Sequence, residues 1–219
     1  MSSLTALSEL LFPTRCLGCR RLGIRICSQC RAFWHPHIYR SKLYLSEREV
    51  PVYSAVAYSL VAQKVLLGSK ESALKDADQL IAQALLHSLS YMYSEIGIAD
   101  LVPVPSRKSA SRKRGRDFIF DQSKLLARDP RVEVRPILQH QRKVKDQSAL
   151  NAHDREINLR GALSCANRAD EENIPVIIVD DLLTSGATLR EAARALFHAG
   201  YEVIGAVTAC VAKPLRYTQ

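Results

Sequence analysis

Two adjacent aspartates, Asp180 and Asp181, stand between the apolar run Val176 to Val179 and the polar segment Thr184 to Thr188. The apolar run predicts a buried strand of a parallel sheet, and helical spacing of apolar residues after position 188 predicts a helix. We expect Val179 to end the strand, which places the acid pair in the following loop. Backbone N–H groups of a glycine-bearing loop at a helix start bind phosphate, and paired carboxylates accept from vicinal hydroxyls. The segment therefore predicts a site for a ribose ring with a 5′-phosphate.

A second group with chemical potential is a set of four cysteines with the spacing C-x2-C-x7-C-x2-C. Two such knuckles supply four thiolates for a tetrahedral Zn2+, and a closed thiolate set leaves no position for a catalytic water. A redox pair and disulfides are the alternatives, and the doubled knuckle favours zinc over both. We predict a structural zinc site at Cys16, Cys19, Cys27 and Cys30.

Length and charge limit the class of protein. The chain has 219 residues, a hydrophobic fraction of 47% and a net charge of +9. These values fit a globular core and an anionic partner, either a phosphorylated small molecule or nucleic acid. No apolar run approaches the roughly 18 residues of a membrane span, so we expect no membrane span and a cytoplasmic protein.

The elements that must position the site alternate between strands and helices. Strands are predicted at Val50 to Leu60, Ala99 to Pro105 and Arg131 to Leu138, and also at residues 176–179 and 202–211. A long amphipathic helix is predicted over residues 76–97. The alternation predicts an α/β fold in which a parallel sheet carries helices on both faces. We expect an N-terminal helix and zinc module over residues 1–45, and the α/β domain over residues 46–219.

The stretch "VIIVDDLLTSGAT" resembles the phosphoribosyl-pyrophosphate motif of type I phosphoribosyltransferases. The four-cysteine head, "PVPSRKSASRKRGRDF" and "DQSALNAHDREINLRGAL" are together similar to the ComF subfamily of competence-associated, phosphoribosyltransferase-like proteins. The resemblance implies that Asp180 and Asp181 hold the ribose hydroxyls and take part in catalysis. It also implies Mg2+ as a cofactor. The 5′-phosphate would bind to Thr184, Ser185, Gly186, Ala187 and Thr188.

The resemblance extends to a segment before the motif. The subfamily pattern Gln-x-x-Leu, Arg, Asn is matched by Gln147, Leu150, Arg155 and Asn158, and Arg155 is a candidate phosphate contact. By analogy with type I enzymes, Arg142 and Lys143, with Lys145, lie on a loop that closes over the reacting centre, and the first two are candidate catalytic residues. An ordinary polar surface loop is the alternative.

A basic segment without acidic residues follows Pro105. Its cations could stabilise a departing diphosphate, follow a nucleic-acid backbone, or form a solvated surface. The sequence departs from the subfamily here, because Gly115 is followed by Arg116 and Asp117 where Phe-Asn is usual. A glycine-bearing pyrophosphate loop is also not evident. The candidate contacts are Arg107, Lys108, Arg112, Lys113, Arg114 and Arg116.

Two functions of different classes follow. In one, the protein is an Mg2+-dependent phosphoribosyltransferase that transfers ribosyl 5-phosphate from phosphoribosyl pyrophosphate to a nitrogen acceptor. In the other, a non-catalytic or ligand-sensing form of the fold binds single-stranded DNA and competence proteins during DNA uptake, as the subfamily name suggests. The sequence shows no residue that would read a base.

Overall fold

The computed structural model describes residues 13–45, 48–106, 111–112, 114–142, 158–169 and 174–212. In chain order the elements are α1 (Ser28–Arg31), β1 (Tyr39–Tyr44), β2 (Glu49–Ala57), α2 (Leu60–Ser72), α3 (Lys75–Glu95), β3 (Asp100–Pro103), α4 (Phe118–Leu126), β4 (Leu138–His140), β5 (Leu163–Cys165), β6 (Ile174–Leu183), α5 (Ala187–His198) and β7 (Tyr201–Val211).

The central sheet has the strand order β1-β2-β7-β6-β3. Strands β2, β7, β6 and β3 are parallel, and β1 adds an antiparallel edge strand to β2. Strands β4 and β5 form a separate antiparallel pair, the β4–β5 pair. The predicted α/β class with a mostly parallel sheet is confirmed.

Helices cover both faces of the central sheet. Along β6, Val176 and Ile178 belong to the apolar core on the α5 side, whereas Ile177 and Val179 belong to the core beneath α2, α3 and α4. Alternate side chains of a strand point to opposite faces, so a strand covered on both sides needs an unbroken apolar run. The prediction of a strand buried on both faces, which was made from this apolar run, is therefore confirmed.

Helix α3 confirms the predicted amphipathic helix. Its inward residues recur at spacings of three and four, which keeps them on one side of the helix. Asp76 and Asp78 lie in its first turn, where carboxylates interact favourably with the helix dipole. The five residues predicted to point inward are all buried: Leu80, Ile81, Ala84, Leu85 and Leu89.

Two local predictions were wrong. Residues 131–138 do not form a strand, because only Val134 bridges to Leu101 and β4 begins at Leu138. Pro136 lacks an N–H group and cannot continue a ladder. Strand β6 does not end at Val179 but continues through both aspartates, with Asp180 paired to Thr208 of β7. The long neighbour β7 supplies ladder partners beyond Val179, and this outweighs the low strand preference of aspartate.

The cysteine segment packs into the same apolar core as α2 and α3. Leu17, Ile26 and Trp34 are buried there together with Leu80 and Leu85. The predicted boundary at residue 45, between the zinc module and the α/β domain, stays a prediction. No helix within the described residues is both apolar enough and long enough to cross a membrane.

Candidate functional site

The acid pair lies near the carboxyl end of β6, inside the strand. Asp180 and Asp181 are both buried, and the Asp180 Oδ1 atom accepts the Asp181 backbone N–H at 2.9 Å. Burial, with the adjacent charge of Asp181, raises the pKa of Asp180 well above its ordinary value. The ionised form of Asp180 is therefore disfavoured in this buried position.

Lys70, in the last turn of α2, balances the charge of this pair. Its Nζ atom lies 2.5 Å from Asp181 Oδ2, and its side chain is 30% exposed. Burial acts to lower the pKa of the Lys70 ammonium, but the charge and hydrogen bond of Asp181 outweigh burial, and the pKa is raised. Sequence reasoning missed Lys70, because a single lysine in an amphipathic helix has no distinguishing pattern.

The polar segment after β6 leads directly into α5. Gly186 has a φ of +76° and precedes the first helical residue, Ala187, whose N–H contacts Ser185 Oγ at 3.5 Å. The first N–H groups of a helix have no intrahelical acceptors and are available to an anion. The predicted phosphate loop thus starts a regular helix of twelve residues.

Glycine at position 186 is required by both conformation and space. A φ of +76° is unfavourable for residues with a Cβ atom. A Cβ atom here would also lie 3.0 Å from Leu43 Cδ1 and 3.2 Å from Arg190 Nη1. The Arg190 guanidinium therefore lies beside the loop, a cation that the sequence analysis did not identify.

The turn at residues 158–162 packs on the start of α5. Leu159 and Ala162 form a small buried cluster with Ala187. Arg142 donates to the backbone carbonyls of Asn158 and Arg160, at 2.9 and 2.8 Å. Arg142 and Asn158, predicted as separate site residues, are thus brought together beside the phosphate loop. Lys143, Lys145, Gln147, Leu150 and Arg155 lie outside the described residues.

The β4–β5 pair is fixed to α5 by a buried carboxylate. Glu191 accepts the Leu163 backbone N–H at 2.9 Å and pairs with Arg194 at 2.7 Å, and Arg194 also donates to the Leu163 carbonyl. Burial acts to raise the pKa of Glu191, but the bonds from Arg194 and the Leu163 N–H lower it below the ordinary value.

The described part of the basic segment is engaged with acidic side chains. Both Arg116 Nη atoms bind Asp78, at 2.8 and 2.9 Å, which ties the segment to α3. Arg114 Nε lies 3.7 Å from Glu71, and its side chain is only 13% exposed. Arg112 is exposed. Arg107, Lys108 and Lys113 lie outside the described residues.

Asp117, at the position where the sequence departs from the subfamily pattern, forms hydrogen bonds with Ser106, three residues beyond the end of β3. Its carboxylate accepts from the Ser106 N–H at 3.4 Å and from the Ser106 hydroxyl at 3.3 Å. Asp117 also immediately precedes α4. The Asp117 carboxylate therefore accepts from both Ser106 donors, the backbone N–H and the hydroxyl.

The four N-terminal cysteines form a cluster with the geometry of a metal site. Their Sγ atoms all lie within 4.8 Å of one another, and Cys19 Sγ is 3.6 Å from Cys27 Sγ. A tetrahedron with Zn–S bonds of about 2.3 Å has sulfur–sulfur distances of about 3.8 Å. None of the six cysteines forms a disulfide. The cluster is compatible with the predicted zinc site.

Local packing explains why residue 18, one of the two residues between Cys16 and Cys19, is a glycine. A Cβ atom on Gly18 would lie 2.5 Å from Cys30 Sγ, so a larger residue would push a ligand sulfur out of place. The Gly18 carbonyl accepts from Lys64 Nζ at 2.7 Å, which connects the cluster to α2.

Comparison with known proteins gives a family match over the part of the chain that holds the acid pair. The model described as "Phosphoribosyl transferase domain" matches residues 126–218. No curated protein matches the chain.

Among solved structures, the chain is similar to the adenine phosphoribosyltransferase of Saccharomyces cerevisiae, at 13% identity, 85% coverage of this chain, 89% of that chain and a TM-score of 0.44. The adenine phosphoribosyltransferase of Rhodothermus marinus has 16% identity, coverages of 83% and 85% and a TM-score of 0.40. The orotate phosphoribosyltransferase of Mycobacterium tuberculosis H37Rv has 13% identity, coverages of 83% and 81% and a TM-score of 0.35.

The matched residues include β6, the acid pair, the phosphate loop and α5. Given this match and the mostly parallel sheet with helices on both faces, the chain has a phosphoribosyltransferase-like α/β fold.

Proposed function

We propose that this protein binds phosphoribosyl pyrophosphate and transfers its ribosyl 5-phosphate group to a nitrogen acceptor. The observation that carries the proposal is the position of a buried acid pair near the end of β6, shortly before the segment that leads into α5. Asp180 and Asp181 would accept from the ribose hydroxyls, and the N–H groups at the start of α5 would donate to the 5′-phosphate. The family match over the same residues supports this assignment.

The cofactors have separate roles in the proposal. Mg2+ prefers oxygen ligands, which the acid pair and the ligand diphosphate supply, and its charge would stabilise the departing diphosphate. Zn2+ on the four cysteines would be structural, because four thiolates complete its coordination. We further propose that the chain is a ComF-type protein, on the basis of the cysteine head and the quoted motifs.

Binding of phosphoribosyl pyrophosphate with Mg2+, measured by isothermal titration, tests the proposal. The Asp180→Asn, Asp181→Asn double variant removes the charges and keeps the shape of both side chains. We expect affinity to fall about tenfold or more, because hydrogen bonds to charged acceptors are among the stronger ones. Asp129→Asn is the control, since Asp129 pairs with Arg131 in a separate surface turn. Equal affinity in the double variant would reject the assignment of the acid pair, and no binding by the wild type would reject the proposal.

Nucleic-acid binding in single-stranded DNA uptake is the second candidate. It is favoured by the exposed arginines of the cysteine segment, Arg15, Arg20, Arg21 and Arg31, together with the exposed Phe33. Cations of this kind follow a phosphate backbone, and an exposed aromatic ring can stack on a base. Fluorescence anisotropy with a labelled single-stranded oligonucleotide at increasing salt tests this candidate. An affinity that falls steeply with salt and is weakened by an Arg20→Gln, Arg21→Gln variant would support it, and an unchanged variant would contradict it.

A further inference from the structure

The ion pair between Lys70 and Asp181 connects the end of α2 to a carboxylate that, in the proposed function, binds the ribose hydroxyls. The Nζ atom lies 2.5 Å from Asp181 Oδ2, and 30% of the Lys70 side chain is exposed, so the protein covers this side chain only in part. A lysine carries its charge on a flexible four-carbon stem and can change partners without backbone movement.

The described surroundings of Lys70 contain the acid pair, an aromatic ring and a second cation. Phe118 lies beneath the ammonium, with its ring centroid 5.9 Å from Nζ. The nearby Arg114 guanidinium repels the ammonium and itself pairs with Glu71. If a ribose hydroxyl donated to the Asp181 oxygen that Lys70 contacts, the hydroxyl and the ammonium would compete for that oxygen, and a second anion near Nζ would compensate the weakened contact.

A ligand can supply the replacement partner. The substituent on C1 of a ribose lies next to the 2-hydroxyl, and that hydroxyl is one of those assigned to the acid pair. An ammonium that already rests on the carboxylate can therefore reach an anionic group on C1. Lys70 would thereby add a cation for the diphosphate to the candidates in the basic segment, of which Arg116 is bound to Asp78.

Resting on the proposed function, we propose that Lys70 is a specificity-determining residue. In the free protein its ammonium pairs with Asp181, and on binding it passes to the anionic group on C1 of a ribose 5-phosphate. The site thus selects ribose 5-phosphates that carry an anion on C1, such as a diphosphate, over those that carry a hydroxyl there. The acid pair recognises the sugar in both cases, and Lys70 distinguishes between them.

The test compares two ligands that differ at C1. Phosphoribosyl pyrophosphate and ribose 5-phosphate are titrated into the wild type and into Lys70→Met, Lys70→Gln and Lys70→Arg variants, each checked by thermal unfolding. We expect Lys70→Met and Lys70→Gln to lower the affinity for phosphoribosyl pyrophosphate about tenfold or more. The affinity for ribose 5-phosphate is expected to stay the same or rise, and Lys70→Arg is expected to recover part of the selectivity. Lys75→Met, an exposed lysine at the start of α3, is the matched control.

The outcomes separate the two proposals. Equal loss of both ligands in the Lys70 variants would overturn this inference, because it would mean that Lys70 only neutralises the acid pair. Unchanged affinity for both ligands would also overturn it. A wild type that binds neither ligand would reject the proposed function itself. If Lys70→Met does not fold, the Gln and Arg variants provide the same comparison.

Discussion

Asp180 illustrates at the residue scale how a proposed binding group can oppose stability. Its buried carboxyl has a raised pKa, so its charge is unfavourable in the folded protein. Such a group contributes stability below the pKa of the unfolded chain, and this contribution is lost as the pH rises through the folded pKa. We expect Asp180→Asn to increase the free energy of unfolding at pH 8 by about 1 kcal/mol or more, while it weakens ligand binding. Urea unfolding at several pH values measures the difference.

The pH dependence provides the internal control for this prediction. The stability advantage of Asp180→Asn is expected to widen from pH 5 to pH 9, because the variant does not ionise at this position. The Asn Oδ1 atom can still accept the Asp181 N–H, so the backbone contact is retained. A variant that is less stable than the wild type at pH 8 would show that the Asp180 carboxylate stabilises the fold.

At the scale of elements, Glu191 joins α5 to the β4–β5 pair. The pKa of Glu191 is lowered, so its ionised form contributes stability above the pKa of an unfolded carboxyl, about 4.3, and this is lost as the pH falls through the folded value. We expect Glu191→Gln to reduce the free energy of unfolding by about 1–2 kcal/mol at pH 7, because the buried carboxylate loses its charged hydrogen bonds with the partly exposed Arg194. The deficit is expected to vanish at low pH in chemical denaturation curves.

Helix α4 provides a matched control with the same spacing of charges. Asp121 and Lys124 form an i,i+3 pair whose side chains are 35% and 53% exposed. Exposed pairs contribute about 0–1 kcal/mol, so Asp121→Asn is expected to have little effect. Similar losses in the two variants would contradict a special role for Glu191 in docking the β4–β5 pair.

At the scale of the whole molecule, the cysteine cluster and the sheet share one core. Trp34, the only tryptophan, is 2% exposed and packs in the core beneath α2 and α3. On the proposed zinc site, we expect removal of Zn2+ to destabilise the whole fold by several kcal/mol, because folding creates the metal site and metal binding in turn stabilises the fold. Trp34 fluorescence and far-ultraviolet circular dichroism are expected to report a single transition, at a lower temperature after chelation.

Two cysteine variants distinguish the metal from general packing. Cys16→Ala is expected to lose bound zinc and to resemble the chelated protein. Cys165→Ala, outside the cluster, is expected to keep one zinc per chain in elemental analysis. Separate transitions for the two optical probes would indicate that residues 1–45 and 46–219 unfold independently.

The elements that were predictable are those whose signal is local. The apolar run of β6 and the three-and-four spacing of α3 give periodic patterns that depend on one segment at a time. The cysteine spacing likewise identifies a cluster, since knuckle geometry is set within about fifteen residues. The acid pair and Gly186 were readable for the same reason, because strand end, loop and helix start are contiguous.

The sequence by itself determined the α/β class, the order of most elements, the acid pair followed by the segment that starts α5, and the four-cysteine cluster. The tertiary structure alone decided that β6 continues past Val179, because the length of β7 beside it sets the end of the ladder. It also decided which cations meet which acids: Lys70 lies on Asp181, and Arg116 lies on Asp78. Such pairings join residues 38 or more positions apart, and they depend on the distance between atoms after packing, which no local pattern contains.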